Sequence, residues 1–291
     1  MGAIYMSGHL LCFGFGFCAA ALAKQLQAQN WQISATCRKA EKAGMLEKNA
    51  IRPLLLDGTK LTPKQISNAT HILLSAAPDE KIGDPILALA GEALQDMATQ
   101  FAWAGYLSTT AVYGDHGGAW VDENTPLNAT TKRGHRRIAA EKAWQATDLP
   151  MHYFRLAGIY GPGRNALKSL ENGRARRIDK PGQVFSRIHV EDIAQILMAS
   201  MAQPNRGRAY NLCDDEPAPP QEVVEYAASL MKQPPPPLLP FDKANLSPMA
   251  YSFYSENKRV KNMRVKTELE ITLKYPTYRE GLTALWESRT Y

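Results

Sequence analysis

The stretch His9-Leu10-Leu11-Cys12-Phe13-Gly14-Phe15-Gly16-Phe17-Cys18-Ala19 decides the fold of this chain. Its apolar first half predicts a buried strand, and the sequence after Ala19 continues as a helix. The two glycines allow a tight turn at Gly14 and the close approach of a pyrophosphate to the backbone at Gly16, while the small Ala19 lets the helix pack on the strand. The predicted phosphate-binding residues of this turn are Gly14, Gly16, Phe17 and Ala19.

The same stretch has one feature of a secretory signal, because an apolar run ends there in Ala21-Leu22-Ala23. A secretory signal also needs a basic flank, and no Lys or Arg precedes Lys24. The run is interrupted by glycines and is too short to span a bilayer. We therefore interpret it as core strand and helix, and we expect a cytoplasmic protein that does not enter a membrane.

Length and composition predict an ordinary globular protein. The chain has 291 residues, 45% of them hydrophobic, which suits one large α/β domain or a large domain with a smaller one attached. The four cysteines show no C-x-x-C spacing and fall in apolar segments, as is typical of buried thiols in a reducing compartment. We therefore predict neither a metal site nor a disulfide. The cysteines are Cys12, Cys18, Cys37 and Cys213.

The charge of the chain favours anionic ligands. Its formal net charge is +6, and basic residues concentrate at 133–137, 174–177 and 258–264. These clusters lack regularly interleaved aromatic residues and accompany no helix-turn-helix or finger motif, so we interpret them as solvated faces rather than as a nucleic-acid surface. The expected partner is a small-molecule substrate, and a homodimer is left open.

Strand-like apolar runs alternate with helical patterns through the first two thirds of the chain. Near-continuous apolar strands predict a parallel sheet that is covered by helices on both faces, a doubly wound α/β fold. After Tyr160, glycines and prolines interrupt the sequence and the predicted helical segments become shorter. The four prolines at 234–237 predict a stiff extended connector. The predicted strands span residues 32–36, 54–56, 72–75, 106–109 and 153–156. The clearest predicted helices span residues 19–29, 85–100, 132–147 and 190–201.

Several segments together resemble the extended short-chain dehydrogenase/reductases, the NAD-dependent epimerase/dehydratase family. Besides residues 14–19, the resemblance rests on LSTTAVYG at 107–114, Arg155 with IYGPG at 159–163, IHVEDIA at 188–194 and YNL at 210–212. It covers most of the chain. It implies a cofactor-binding Rossmann domain at residues 1–159, to which 184–212 return, and a smaller C-terminal α/β substrate domain at 160–183 and 213–291.

The end of the second predicted strand indicates which nicotinamide cofactor binds. An NAD enzyme usually has Asp or Glu there for the ribose 2′-hydroxyl, whereas this chain has Arg38 and Lys39. The two cations favour NADP(H), with NAD(H) left open, and the alternative is that both residues begin a solvated helix. By resemblance, Asp57 lies near the adenine amino group. The resemblance also implies that the loop passing the middle of the cofactor consists of Ser75, Ala76 and Ala77. The alternative is that Asp57 and this loop are plain strand ends.

The resemblance implies a catalytic centre that this chain only partly has. Thr109 stands where the family has the Ser or Thr that polarises the substrate oxygen. When the following helix is aligned on its glutamate, Glu141, the family's Tyr-x-x-x-Lys pair is replaced by Arg133 and Arg137. Arg137 can still hold the nicotinamide ribose, but a guanidinium stays protonated and does not replace an acid–base tyrosine.

Other polar residues near predicted strand ends are candidates for the missing role. We assign Tyr113 to the catalytic residues and His116, Tyr160 and His189 to substrate binding. For each of them the alternative is a packed aromatic ring or a structural histidine. The family's dehydratases carry Asp-Glu directly after the threonine, whereas this chain has Thr110-Ala111.

The sequence therefore predicts an atypical extended short-chain dehydrogenase/reductase. As an enzyme it would be an NADP(H)-dependent oxidoreductase or epimerase-like protein acting on a small polar or sugar-like anionic substrate. The alternative is a catalytically silent NADP(H)-binding sensor or interaction protein, which the loss of the Tyr-x-x-x-Lys pair favours. Thr109 and the IYGPG loop favour the enzyme.

Overall fold

Short buried strands alternate with helices along the chain. A computed structural model describes residues 7–291. The strands are β1 (His9–Phe13), β2 (Gln32–Cys37), β3 (Arg52–Leu55), β4 (His71–Leu74), β5 (Trp103–Thr109), β6 (Trp120–Val121), β7 (Met151–Leu156), β8 (Gly158–Tyr160), β9 (Arg177–Asp179), β10 (Arg187–His189), β11 (Ala209–Leu212), β12 (Leu238–Pro240) and β13 (Arg259–Val260).

The helices are α1 (Phe17–Gln27), α2 (Ala40–Glu47), α3 (Pro63–Ile66), α4 (Pro85–Asp96), α5 (Lys132–Gln145), α6 (Ala166–Glu171), α7 (Val190–Ala202), α8 (Pro220–Leu230), α9 (Pro248–Tyr254), α10 (Met263–Glu268) and α11 (Tyr278–Glu287). The five predicted strands and four predicted helices are all present, with ends that differ by a few residues. The predicted helix 85–100 stops earlier, because Met97 leaves the helical conformation and a 3₁₀ turn follows it.

Seven of the strands form one sheet in the order β11-β7-β5-β4-β1-β2-β3. The pairs β1–β2, β1–β4, β2–β3 and β4–β5 are parallel, so their carboxyl ends lie at one edge. The strand order reverses direction between β1 and β4, which is the topological switch point where open α/β sheets bind ligands. This confirms the predicted doubly wound parallel sheet.

Helices cover both faces of this sheet. On one face, Leu11 and Phe13 pack in a core that includes Leu94 of α4 and Trp144 of α5. On the other face, Leu10 of β1 is also fully buried, and Trp103 of β5 donates a hydrogen bond from Nε1 to Ser200 Oγ of α7 over 3.0 Å. Apolar side chains on both faces explain why the strands have continuous apolar runs rather than an alternating pattern.

The chain divides into two compact units. Of the described residues, the first unit holds 7–109, His135–Arg155 and Ile193–Tyr210, and the second holds Thr110–Gly134, Leu156–Asp192 and Asn211–Tyr291. This division differs from the predicted domains chiefly at residues 110–134 and 184–192, which pack within the second unit. Which unit binds cofactor and which binds substrate stays a prediction.

The second unit combines short parallel strand pairs with helices. Its pairs are β8–β10, β9–β12 and β6–β13. One of its cores joins α6, α8 and α11 through Leu167, Ala227 and Leu282, which are all fully or almost fully buried. The prolines at 234–237 form an irregular connector between α8 and β12.

All four cysteines are buried, as predicted, and none of these four forms a disulfide. None of the helices within residues 7–291 has both the length and the apolar character needed to cross a membrane. In the same part of the chain, no three His, Cys, Asp or Glu side chains are grouped as a metal ion would require.

A row of rings lines the amino-terminal edge of the sheet in the first unit. The ring of His71, the first residue of β4, lies 4.8 Å from Trp31 and 6.4 Å from Trp103. Trp103 in turn stacks on His152 of β7 at 5.9 Å. Burial lowers the pKa of both histidines from 6.5 to about 4, so both rings are uncharged at neutral pH.

Acid should therefore destabilise the first unit before its carboxylates titrate. The unfolded chain takes up a proton at His152 near pH 6.5, but the folded chain does so only near pH 4, so stability is lost as pH falls through this range. By itself His152 should cost about 2 kcal/mol of unfolding free energy between pH 7 and pH 5. The variant His152→Gln keeps a hydrogen-bond acceptor for Asn205 N but does not titrate.

Urea unfolding of both proteins at pH 7 and pH 5 measures this effect. We expect His152→Gln to lose less stability on acidification than the natural chain, whatever its stability at pH 7. Equal losses in the two proteins would contradict the assignment to His152.

Candidate functional site

Predicted cofactor residues follow each of the strands β1 to β4 of the large sheet at its carboxyl edge. Gly14 follows β1, Arg38 follows β2, Asp57 comes two residues after β3, and Ser75 follows β4. Thr109 is the last residue of β5. Because these strands are parallel, the fold brings the five positions to one edge of the first unit.

Gly14 makes the predicted turn, and two hydrogen bonds hold it. Its φ is +86°, in the left-handed region that favours glycine. Its N–H donates to Thr36 Oγ1 of β2 over 2.8 Å, and its carbonyl accepts from Ser75 Oγ over 2.8 Å. A Cβ at this position would lie 3.0 Å from that Ser75 oxygen, so a side chain there would crowd Ser75 in addition to straining the backbone.

The amino terminus of α1 beyond this turn is open. Gly16 is its N-cap residue, no side chain caps the helix, and its first turn contains no acidic residue. Gly16 is exposed, and no atom lies within 4 Å of the position of a Cβ there. Ala19 is fully buried, as close packing of the helix on the strand requires. Open space at the positive end of a helix suits an anion, so these residues fit the pyrophosphate of a dinucleotide.

The region after β2 is cationic. Arg38 and Lys39 are both exposed, and Lys39 is the N-cap residue of α2 without a capping side chain. Lys42 of α2 lies over the ring of Phe15, with Nζ 5.9 Å from the ring centroid. Asp57 is exposed and accepts from Thr59 Oγ1 over 2.6 Å, and the hydrogen bonds from Thr59 lower its pKa.

Thr109 and Arg137 lie on neighbouring elements of the first unit. Thr109 is half-buried at the end of β5. Arg137 of α5 is also half-buried, and its Nη1 donates to Tyr106 Oη over 3.0 Å and to the Leu107 carbonyl over 2.9 Å. The arginine is therefore bound to the strand that ends in Thr109.

Tyr113 and His116 lie together in the second unit. Tyr113 is fully buried, and its hydroxyl donates to Asn211 Oδ1 over 2.7 Å. The ring of His116 is half-buried, with Nε2 3.1 Å from the Tyr113 carbonyl. A buried hydroxyl that already has an amide acceptor is better suited to packing than to proton transfer, so this placement favours the structural alternative for Tyr113.

Tyr160 and His189 form a second buried group in this unit. Their ring centroids are 5.1 Å apart, and His189 lies 4.1 Å from Tyr275. His189 Nδ1 accepts the N–H of Glu191 over 3.2 Å at the start of α7. Burial lowers the pKa of His189 to about 4 and raises that of Tyr160. Both groups are therefore neutral at pH 7. Nε2 of His189 is buried and has no hydrogen-bond partner within residues 7–291, so the role of this histidine stays a prediction.

Arg133 is exposed near the start of α5, and its guanidinium lies 4.3 Å from the centroid of the Phe253 ring of α9. Phe253 itself is 46% exposed, so this cation–π pair is open to solvent. A cation backed by an aromatic face at this position can attract an anion. It cannot donate and regain a proton near neutral pH.

Sequence reasoning missed two of these residues. One is Thr36, which the sequence motifs do not indicate. If β1 is assumed to pair with β2, however, Thr36 lies on the strand beside the glycine turn, and this position could have identified it. Phe253 had no signal, because 120 positions separate it from Arg133 and α9 is only seven residues long. The predicted roles of all the site residues stay predictions.

Removing the Thr36 hydroxyl should loosen the glycine turn. Thr36 is almost fully buried, so Thr36→Val keeps the shape but leaves the Gly14 N–H without its acceptor. We expect a loss of about 1–2 kcal/mol of unfolding free energy in urea titrations. The matched variant Thr36→Ser keeps the hydroxyl and should lose less, and a Val variant as stable as the Ser variant would refute this role.

Comparison with known proteins supports the fold. No protein-family model and no curated protein sequence matches the chain. Among solved structures, a functionally unknown conserved protein from Silicibacter pomeroyi DSS is 55% identical, with 98% of this chain and 100% of that chain covered and a TM-score of 0.91.

Two more distant structures share the fold. The human epimerase family protein SDR39U1 (isoform 2), solved with NADPH, is 16% identical over 96% of this chain and 99% of that chain, with a TM-score of 0.73. The dTDP-glucose 4,6-dehydratase of Bacillus anthracis str. Ames, solved with NAD, is 17% identical over 98% of this chain and 97% of that chain, with a TM-score of 0.74. The chain thus belongs to the family of the Silicibacter pomeroyi protein and has the fold of the NAD-dependent epimerase/dehydratases, the extended short-chain dehydrogenase/reductases.

Proposed function

We propose that this protein binds NADP(H) and is an oxidoreductase or epimerase-like enzyme for a small polar, anionic substrate. The observation that carries the proposal is the open, uncapped amino terminus of α1 beside a glycine turn that hydrogen bonds hold on both sides. A dinucleotide pyrophosphate placed there would meet backbone N–H groups and the positive end of the helix.

The preference for NADP(H) rests on charge at the end of β2. Arg38 and Lys39 are exposed there, and no acidic side chain is present for a ribose 2′-hydroxyl. An arginine fork can bind a 2′-phosphate through two hydrogen bonds. The related folds include one solved with NADPH and one solved with NAD, so the fold is compatible with either cofactor.

Thr109 and Arg137 are the residues that we assign to the reacting end. A bound nicotinamide would supply or accept hydride. The Thr109 hydroxyl would donate a hydrogen bond to the substrate oxygen, and Arg137 would hold the nicotinamide ribose with the N–H groups that β5 does not use. Neither Arg133 nor Arg137 can act as the acid, so the proton would come from water or from another group.

The anionic character of the substrate is inferred from Arg133. This exposed cation lies against the open ring of Phe253, at the position where the family has its tyrosine. The net charge of +6 acts in the same direction over a longer range. Arg133 and this net charge would both attract a carboxylate or phosphate on the substrate.

A second candidate function is a sensor that binds NADP(H) without turnover. The observation that favours it is that Arg133 and Arg137 stand where the family has its Tyr-x-x-x-Lys pair. Both side chains are guanidinium groups, and Arg137 is bound to β5. Such a protein would keep the cofactor site and lack proton transfer.

Replacing Arg38 by Ala should weaken NADPH binding by about 1–3 kcal/mol, the range for a charge-assisted contact, and leave NADH almost unchanged. Isothermal titration calorimetry with both cofactors measures this. Arg174→Ala removes an exposed arginine of the second unit and is the matched control. Equal losses for NADPH and NADH would contradict a 2′-phosphate contact, and no binding of either cofactor to the natural chain would overturn the proposed function.

Replacing Thr109 by Val should abolish hydride transfer and leave NADPH affinity unchanged, because the hydroxyl acts on the substrate. Thr109→Ser retains the hydroxyl and should keep activity. The assay is NADPH consumption over a panel of anionic carbonyl compounds. Tight NADPH binding without turnover of any compound by the natural chain would favour the sensor.

A further inference from the structure

Three polar side chains of the first unit meet in the protein interior beside Thr109. Glu141 of α5 accepts hydrogen bonds from Ser108 Oγ of β5 and from Arg155 Nη2 of β7, the latter over 2.9 Å. Arg155 Nε lies 3.4 Å from the other carboxylate oxygen. Glu141 is fully buried, and Ser108 and Arg155 are each 5% exposed.

Stability alone does not account for this cluster. Removing two opposite charges from water costs much of the energy that their attraction returns, and apolar residues of similar size are often as stabilising. A buried ion pair with an additional hydroxyl donor does impose a single geometry, because each partner would be left unsatisfied in any other arrangement.

The geometry that the cluster imposes concerns the end of β5. Ser108 directly precedes Thr109, and Glu141 lies one helical turn after Arg137. Arg137 contacts Tyr106 and Leu107 of the same strand. Helix α5 is therefore bound to three consecutive residues of β5, and the next residue is Thr109.

We propose that Ser108, Glu141 and Arg155 are positioning residues that hold Thr109 and Arg137 for the nicotinamide half of the cofactor. This inference rests on the proposed dinucleotide binding. Strand β5 lies three positions from β2 in the sheet, about 14 Å away, so the network acts on the nicotinamide end and not on the adenine end.

Two ligands distinguish the nicotinamide end of the proposed cofactor site from its adenine end. NADPH occupies both, whereas 2′,5′-ADP has only the adenine half with its 2′-phosphate. The variants are Glu141→Gln, which removes the carboxylate charge that pairs with Arg155, and the milder Ser108→Ala, which removes one hydrogen bond and keeps this ion pair. Glu92→Gln, at an exposed glutamate of α4, is the matched control.

Calorimetry should show NADPH binding weakened about tenfold in Glu141→Gln, and by less in Ser108→Ala, with 2′,5′-ADP binding unchanged within twofold in both. The change in nicotinamide fluorescence on binding should also decrease in these variants and not in Glu92→Gln. Ser108→Ala provides the test if Glu141→Gln does not fold.

Equal losses for the two probes, or unchanged NADPH binding and fluorescence in both variants, would overturn the positioning role while leaving the proposed function intact. A natural chain that binds neither probe would overturn the proposed function and this inference with it.

Discussion

The two hydrogen bonds that hold Gly14 in its left-handed turn are the constraint on which the carboxyl edge of the sheet depends. The donor to the Gly14 carbonyl is Ser75, after β4, and the acceptor for its N–H is Thr36, on β2. These strands are the two neighbours of β1 in the sheet. The turn is therefore fixed only when the three strands pair in register, and α1 then begins with its amino terminus open. One local conformation thus links sheet assembly to the open helix terminus at which an anion is proposed to bind.

The sequence predicts the large sheet well because its signal is local. Each strand is a short apolar run between turn residues, and the alternation with helices determines that the sheet is parallel. The pairs of the second unit were not predicted, because β6 and β13 are two residues long and carry no periodicity. Their pairing joins positions about 140 residues apart, which no local pattern can indicate.

The candidate site also has one part that local motifs predict and another part that depends on residues far away in the sequence. The glycine turn, the cations after β2 and Thr109 follow from motifs and lie where parallel strands end. The surroundings of Tyr113 and Arg133 depend on Asn211 and Phe253, which are far away in sequence. The motif that contains Tyr113 therefore identified its strand end correctly but could not indicate that its hydroxyl is buried against an amide. A residue type near a strand end predicts proximity to a site, whereas its role depends on partners that only the tertiary structure supplies.

If Arg137 stands in place of the family's lysine, as the proposed alignment has it, the replacement would change more than the chemistry of one group. A lysine ammonium has three donors on one atom, so one that contacted both Tyr106 and Leu107 would have a single donor left beside them. Arg137 makes both contacts through Nη1 alone, and its planar fork has three further N–H donors on Nη2 and Nε. The arginine can therefore bind the end of β5 and a cofactor hydroxyl at the same time, but its charge is permanent. Under the proposed function, such a site would hold a dinucleotide and an anion firmly, and it would leave proton transfer to water or to another group.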